Sequence, residues 1–209
     1  MSPILTARGL SFQNKLFYPD VDIQKGSAAF ISGRSGSGKT TLLRFFNGTL
    51  APSSGQVFYD GQDIAAMDTL RLRRRLILAM QTVYLFSGTI LENFSLFHEY
   101  HESPVPPAEE LAELLEICRM DFPLEALCDS MSAGERQRVF LAVALSMAPE
   151  TLMLDEPTSA LDAPTAEKVM ENIMKFSKER GITLVAVSHD KALLERHAEK
   201  IITIGGETK

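Results

Sequence analysis

AAFISGRSGSGKTTLLRFFNG, residues 28–48, joins a short apolar run to a glycine-rich loop and then to an amphipathic helical pattern. Within it, GRSGSGKT at 33–40 fits G-x-x-x-x-G-K-[ST] at every fixed position, in the strand-loop-helix context that a phosphate-binding loop requires. A triphosphate needs several donors converging on it at a distance that side chains would block. Gly33, Gly36 and Gly38 let the backbone curl around Arg34, Ser35 and Ser37 with its N–H groups inward. From Lys39 through Thr40 and Thr41 the helix start offers free N–H groups and the positive end of its dipole. Lys39 adds a full charge, and the Thr40 hydroxyl is placed to ligate Mg²⁺, which arrives with a nucleotide and keeps several of its waters.

Around this stretch the bulk properties are ordinary. A chain of 209 residues buries a sizeable core as one compact domain or one with a small subdomain, and 45% hydrophobic with 23% charged residues is a soluble composition. The net charge of -6 gives no overall attraction to nucleic acid, so no nucleic-acid partner is expected. Arg71, Arg73, Arg74 and Arg75 form the one basic cluster and read as a solvated helix face. Cys118 and Cys128 are too few for a zinc site and are read as reduced. His98 and His101 lack an accompanying ligand cluster and are expected at the surface. MSPILTARGL is not read as a signal peptide. The apolar stretch at 139–148 is far short of a bilayer span and reads as a buried helix, so any membrane role must come through a partner.

Residues 3–32 hold β-prone runs ending in AAFIS, and GQVFYD at 55–60 adds a strand after PSSG, which together predict an antiparallel sheet flanking the core. A helix over 66–75 leads to the strand LILAM at 76–80, and 82–100 reads as irregular and aromatic. After SPVPP at 103–107, AEELAELLEICRM sets Leu111, Leu114, Leu115 and Cys118 on one helix face. MSAGERQRVFLAVALSMA then starts a helix with Ser132 as N-cap and Glu135 as capping-box partner. From 151 the rhythm is strand TLML, helix 163–180, strand 182–187, helix 190–197 and strand KIITI. Apolar strands alternating with helices imply an α/β fold with a mostly parallel sheet covered on both faces.

TLML runs directly into Asp155 and Glu156, a strand that delivers carboxylates beside the phosphate loop. Asp155 suits the Mg²⁺ through its water shell, and Glu156 is the candidate general base for an attacking water. With MSAGERQR at 131–138, LMLDEPTSALD at 152–162 and SHD at 188–190 added, the order and spacing of motifs resemble the ATP-binding subunits of ABC transporters over the whole chain. The resemblance implies ATP and Mg²⁺ as ligands and one P-loop NTPase cassette, with 1–80 and 150–209 as the core and its antiparallel β part, and about 82–148 as the glutamine loop and helical part. It makes Gln81 the glutamine that links Mg²⁺ to a membrane partner, Ser132 to Glu135 (with Gly134) the signature loop, Ser159 to Asp162 the D-loop, and His189 the switch histidine.

Two positions depart from the family pattern. Ala133 replaces the first signature glycine, and an ordinary helix start is expected there, because a left-handed backbone would cost about 1 kcal/mol. Asn14 holds the usual place of the adenine-stacking aromatic, which leaves Phe12 as substitute with Phe17 or Tyr18 behind it. The resemblance further implies a head-to-tail dimer, in which the signature loop of a second copy completes each ATP site. It implies a location on the cytoplasmic face of the cell membrane through a separate permease. TVYLFSGTILENFSLF at 82–97, with Tyr84, Leu85, Phe86, Phe94 and Phe97, is expected to form the permease contact together with about 107–130. QTVYLFSGTILENF looks like bacterial stand-alone subunits of the iron or metal exporter type. The alternative is a non-transport ABC ATPase working mechanically on DNA or ribosomes, against which stands the lack of a coiled-coil insert or a second cassette in the sequence.

Overall fold

The structure is a computed structural model, and it describes residues 2–188, 196 and 198–205. The chain runs β1 (Pro3–Phe12), β2 (Leu16–Phe17), β3 (Val21–Gln24), β4 (Ala28–Gly33), α1 (Lys39–Phe46), β5 (Ser54–Tyr59), β6 (Gln62–Asp63), α2 (Thr69–Arg75), β7 (Leu76–Ala79), α3 (Ile90–His101), α4 (Ala108–Ile117), α5 (Ala133–Ser146), β8 (Thr151–Asp155), α6 (Ala163–Glu179), β9 (Thr183–Val187) and β10 (Lys200–Ile204). One sheet is antiparallel, in the order β2-β1-β5-β6 with β3 also on β1; the other is parallel, in the order β10-β4-β9-β8-β7.

Alternation along the parallel strands divides the core in two. Phe30, Leu152, Leu154, Leu184 and Ala186 face a cluster with the apolar sides of α4, α5 and α6, while Ala29, Ile31, Met153, Val185 and Val187 pack with α1 and the antiparallel sheet. A strand buried on both faces reads as a continuous apolar run, as TLML and TLVAV do.

The helix expected over 66–75 starts later. Asp63 caps a 3-10 turn at Ile64–Ala66, and Asp68 then caps α2 by accepting from the Arg71 N–H at 2.8 Å. The larger correction concerns 82–100, which is regular over its second half. Thr89 and Glu92 form a reciprocal capping box that launches α3. On that helix Phe94 is fully buried, and Leu85, ahead of the helix, is buried at 6% exposure, so two of the five residues expected at a permease contact are core.

The histidines are not surface residues in the simple sense. His98 is 2% exposed, with Nδ1 hydrogen-bonded to Ser103 Oγ at 2.8 Å and Nε2 to Ser146 Oγ at 3.0 Å. His101 bonds Ser103 Oγ at 3.0 Å and the Arg74 carbonyl at 3.2 Å. Burial, with His101 beside it, lowers the His98 pKa from 6.5. A histidine held neutral in the fold but free to protonate when unfolded contributes stability above its unfolded pKa and loses it as pH falls below. Stability of the parent should therefore decline from about pH 6.5 downward, by at most about 1.4 kcal/mol per pH unit for one proton. His98→Gln should flatten that slope in urea titrations run at stepped pH, and an unchanged slope would assign the decline to other groups.

The arginine cluster is a surface face, with Arg71 and Arg73 exposed, but three of its side chains are tied to partners. Arg75 holds Glu150 with two bonds of 2.7 and 2.9 Å and Asp60 at 3.1 Å, Arg74 pairs with Glu102 at 2.6 Å, and Arg73 reaches the Gly48 carbonyl at 3.2 Å. Cys118 and Cys128 are buried free thiols, as expected of reduced cysteines. The helix expected at 190–197 falls almost wholly outside the described residues.

Candidate active site

Parallel strands all end at the same edge of their sheet, so whatever follows them converges there. The 33–40 loop follows β4, Gln81 lies just past β7, Asp155 ends β8 with Glu156 next, and Ser188 follows β9. His189 lies outside the described residues.

In the loop, Gly38 has φ 95°, and a Cβ there would stand 2.5 Å from Tyr18 Oη and 2.9 Å from Leu16 Cδ1, so any other residue would be strained and would push those side chains aside. Tyr18 O–H donates to the Gly38 carbonyl at 3.3 Å. Helix α1 therefore begins with no side-chain cap and no acid in its first turn, leaving its N–H groups and positive dipole end for an anion. Ser37 Oγ is buried with no hydrogen-bond partner among the described residues. Lys39 is buried, and among the described residues its ammonium donates to the loop carbonyls of Gly33 at 3.0 Å and Arg34 at 3.1 Å. A buried cation on two carbonyls, an orphan hydroxyl and an uncapped helix start together suit a polyphosphate.

Next to the loop, Thr40 O–H donates to Asp155 Oδ2 at 2.7 Å. Asp155 is 2% exposed, and burial raises its pKa against the Thr40 bond that lowers it. A buried carboxylate beside a hydroxyl is the donor set that Mg²⁺ takes when phosphates supply the rest, since this ion needs only one or two carboxylates. No larger cluster of metal-ligating side chains occurs among the described residues. Gln81 Nε2 donates to Glu156 Oε2 at 2.9 Å, so the glutamine and the second carboxylate face one another. Glu156 has φ 49°, an uncommon left-handed backbone for a residue other than glycine.

Away from the loop, the N-terminus of α5 closes on itself: the Ser132 N–H and O–H donate to Glu135 Oε2 at 2.8 and 2.7 Å, and Ser132 Oγ accepts from the Glu135 N–H. Those bonds lower the Glu135 pKa. Ala133 is an ordinary first helical residue, as expected without the glycine. Asp162 caps α6 by accepting from the Thr165 N–H at 3.0 Å. Of the three aromatics near the loop, Phe12 and Tyr18 pack edge-on against Phe45, whereas Phe17 is 70% exposed. Sequence reasoning passed over Gln137, a buried amide on α5 that bonds the loop after Glu156. No clear signal marked it, because Gln137 sits among the charged residues Glu135, Arg136 and Arg138 ahead of the buried run.

The family model described as ABC transporter matches residues 18–159. Protein STAR1 of Oryza sativa subsp. japonica is 38% identical over 193 residues, covering 90% of this chain and 55% of its own length. The methionine import ATP-binding protein MetN of Caulobacter vibrioides is 34% identical over 189 residues, covering 88% of this chain and 57% of its own length. The chain thus spans a little over half of each of these relatives. The structure superposes on the dimeric post-hydrolysis state of the ATP-binding cassette MJ0796 bound to ADP and Pi with TM-score 0.82 and 28% identity, over 96% of this chain and 94% of that one. Fold, loop chemistry and matched sequence lead to one conclusion: the chain belongs to the ABC transporter family, as an ATP-binding cassette.

Proposed function

We propose that this chain is an ATPase subunit that works as a dimer and energises a separate membrane permease. The observation that carries the reading is the meeting of three motifs at one sheet edge, with Thr40 on Asp155 at 2.7 Å and Gln81 on Glu156 at 2.9 Å beside the buried Lys39. The N–H groups of the 33–41 segment and the Lys39 ammonium hold the phosphates. Thr40 and Asp155, with Gln81 beside them, would hold Mg²⁺, which supplies neutralisation of charge on the phosphate oxygens. Glu156 takes the proton from a water whose oxygen attacks the γ-phosphorus, and ADP leaves as the bond to the γ-phosphate breaks. His189 is assigned by its motif to the same γ-phosphate. Phe17, rather than Phe12, is the adenine platform, because its ring is free to stack while Phe12 is engaged with Phe45. Ser132, Gly134, Glu135 and Asp162 serve the site of the second copy.

For the permease contact, Phe86 is the centre of a surface aromatic group: Tyr84 stands edge-on at 5.1 Å, Phe97 edge-on at 5.6 Å and Tyr100 stacked at 6.0 Å. Tyr84 and Tyr100 are 61% and 72% exposed. An apolar patch rimmed by polar residues marks an interaction site, and this one begins three residues after Gln81. None of the described helices is long and apolar enough to cross a membrane, so the inner face of the membrane is reached through the permease. No specific observation favours a mechanical role on DNA or ribosomes.

Phe86→Ala and Tyr84→Ala should leave basal phosphate release by the isolated chain within about twofold, while reducing co-purification with the membrane partner several-fold, as loss of an aromatic anchor does. The Phe86 backbone is held independently of its ring by Asn93, which accepts from its N–H at 2.8 Å and donates to its carbonyl at 3.1 Å. A strong fall in melting temperature, or undiminished permease capture, would show that the ring is satellite core and that the contact lies elsewhere.

A further inference from the structure

Gln137 is 3% exposed, yet its amide leaves the helical pattern of α5 and enters the loop after β8. The Ala160 N–H donates to Gln137 Oε1 at 3.1 Å, and Gln137 Nε2 donates to Ser159 Oγ at 3.4 Å and, at 3.5 Å, to the carbonyl oxygen of Glu156. One turn earlier on the same helix, a Cβ on Gly134 would lie 3.0 Å from the Ala160 carbonyl and 3.1 Å from Leu161 Cδ2, so helix and loop are pressed together.

The loop that receives this amide starts on the left-handed Glu156. A strained backbone of that kind persists only where its surroundings over-determine it. The Glu156 N–H is fixed on the Val187 carbonyl at 3.2 Å, and the Ser159 N–H returns to the Glu156 carbonyl at 3.2 Å. These bonds set the loop against its neighbouring strand and close its first turn. The tie to a helix on the other side is the amide of Gln137. Its position also matters: five residues upstream on α5 stands Ser132, so the same helix that carries the Ser132 turn grips the residue chain of Glu156.

We propose that Gln137 is a positioning residue for the hydrolytic carboxylate: it locks loop 156–161 onto α5 and so fixes the backbone that aims Glu156 at the attacking water. The inference rests on Glu156 being the base. It makes a displacement of α5 a displacement of Glu156, and it gives loss of Gln137 a kinetic signature. Nucleotide binding stays intact, because none of the hydrogen bonds of Gln137 reaches the phosphate loop, while the chemical step slows. A misplacement of about 1 Å at a reacting group can cost about a hundredfold in rate.

The test compares kcat, KM for ATP, ATP affinity and melting temperature for the parent, Gln137→Met, Gln137→Glu and Glu156→Gln. Gln137→Met keeps the side-chain length and removes both polar atoms; kcat should fall at least about tenfold with ATP affinity within about threefold, as expected of lost alignment rather than lost binding. Gln137→Glu keeps an acceptor for the Ala160 N–H but lacks the N–H donor when ionised. Its kcat relative to the parent should rise as pH is lowered, because the protonated carboxyl regains an O–H donor. A purely structural role would leave that ratio flat. A kcat for Gln137→Met within twofold of the parent, or a loss that only tracks the folded fraction, overturns the proposal. If Glu156→Gln itself turns over at the parent rate, the reading of Glu156 has failed; if it is slow while Gln137→Met is not, the positioning role alone has failed.

Discussion

Glu156→Gln protein should bind ATP as tightly as the parent and hydrolyse it at least about a hundredfold more slowly, the range for loss of a general base. The substitution is close to isosteric. A glutamine oxygen at this position still accepts from Gln81 Nε2, the bond that measures 2.9 Å with the carboxylate, and the left-handed backbone is unaltered. What disappears is the basicity. Lys39→Ala gives the opposite split, because it removes a buried ammonium whose acceptors are the loop carbonyls of Gly33 and Arg34. Charge-assisted bonds to phosphate contribute about 1.5–3 kcal/mol, so affinity itself should weaken by roughly one to two orders. Calorimetric titration with ATP, alongside phosphate release under saturating nucleotide, separates the two effects. A Glu156→Gln enzyme hydrolysing near the parent rate would remove Glu156 from the mechanism and direct attention to His189.

How much of this was legible beforehand depended on whether the deciding contacts are local. The phosphate loop, the Ser132 capping box and the doubly buried strands TLML and TLVAV are written within a few residues, and each formed where the pattern put it. Helix α3 was not legible as a helix, because its buried face consists of Ile90, Asn93, Phe94 and His98. Two polar residues interrupt the apolar period there. They are core residues only because distant groups satisfy them: Asn93 bonds the Phe86 backbone, and His98 bonds Ser146 of α5. The Thr89 and Glu92 capping pair was the local signal that should have decided it. The same limit applies to Arg74 and Arg75, whose partners Glu102 and Glu150 lie far along the chain. At the site, the match to the family's aromatic place at Asn14 put Phe12 first for adenine, whereas exposure leaves the Phe17 ring free to stack. Gln137 was invisible as a contact because its partners belong to another element.

ATP should convert Glu156→Gln protein from monomer to dimer, and Ser132→Arg added to it should keep the protein monomeric with ATP affinity retained. The start of α5 motivates this. Its Ser132 and Glu135 side chains are spent on each other and lie at the surface, while the hydrogen bonds that hold Lys39 and Thr40 involve other residues. Unlike α1, this turn is already capped and carries an acid, so its role at a nucleotide held by a second copy rests on the exposed Ser132 and on the signature-loop resemblance rather than on a free helix dipole. The likeness to a cassette solved as a dimer supports that arrangement. Slow hydrolysis in the Glu156→Gln background keeps the joining ATP intact long enough for light scattering after size exclusion. Ser132→Arg places a long cation in the interface and also removes an N-cap worth about 1 kcal/mol. Ser132→Ala supplies the control, since it loses the same cap without the added bulk and should dimerise measurably better than the arginine variant. If ATP leaves the mass unchanged at high protein concentration, closure needs a different ATPase chain or the permease. If Ser132→Arg dimerises as readily as its parent, the α5 turn is not at the interface, and the capping box is a feature of helix stability alone.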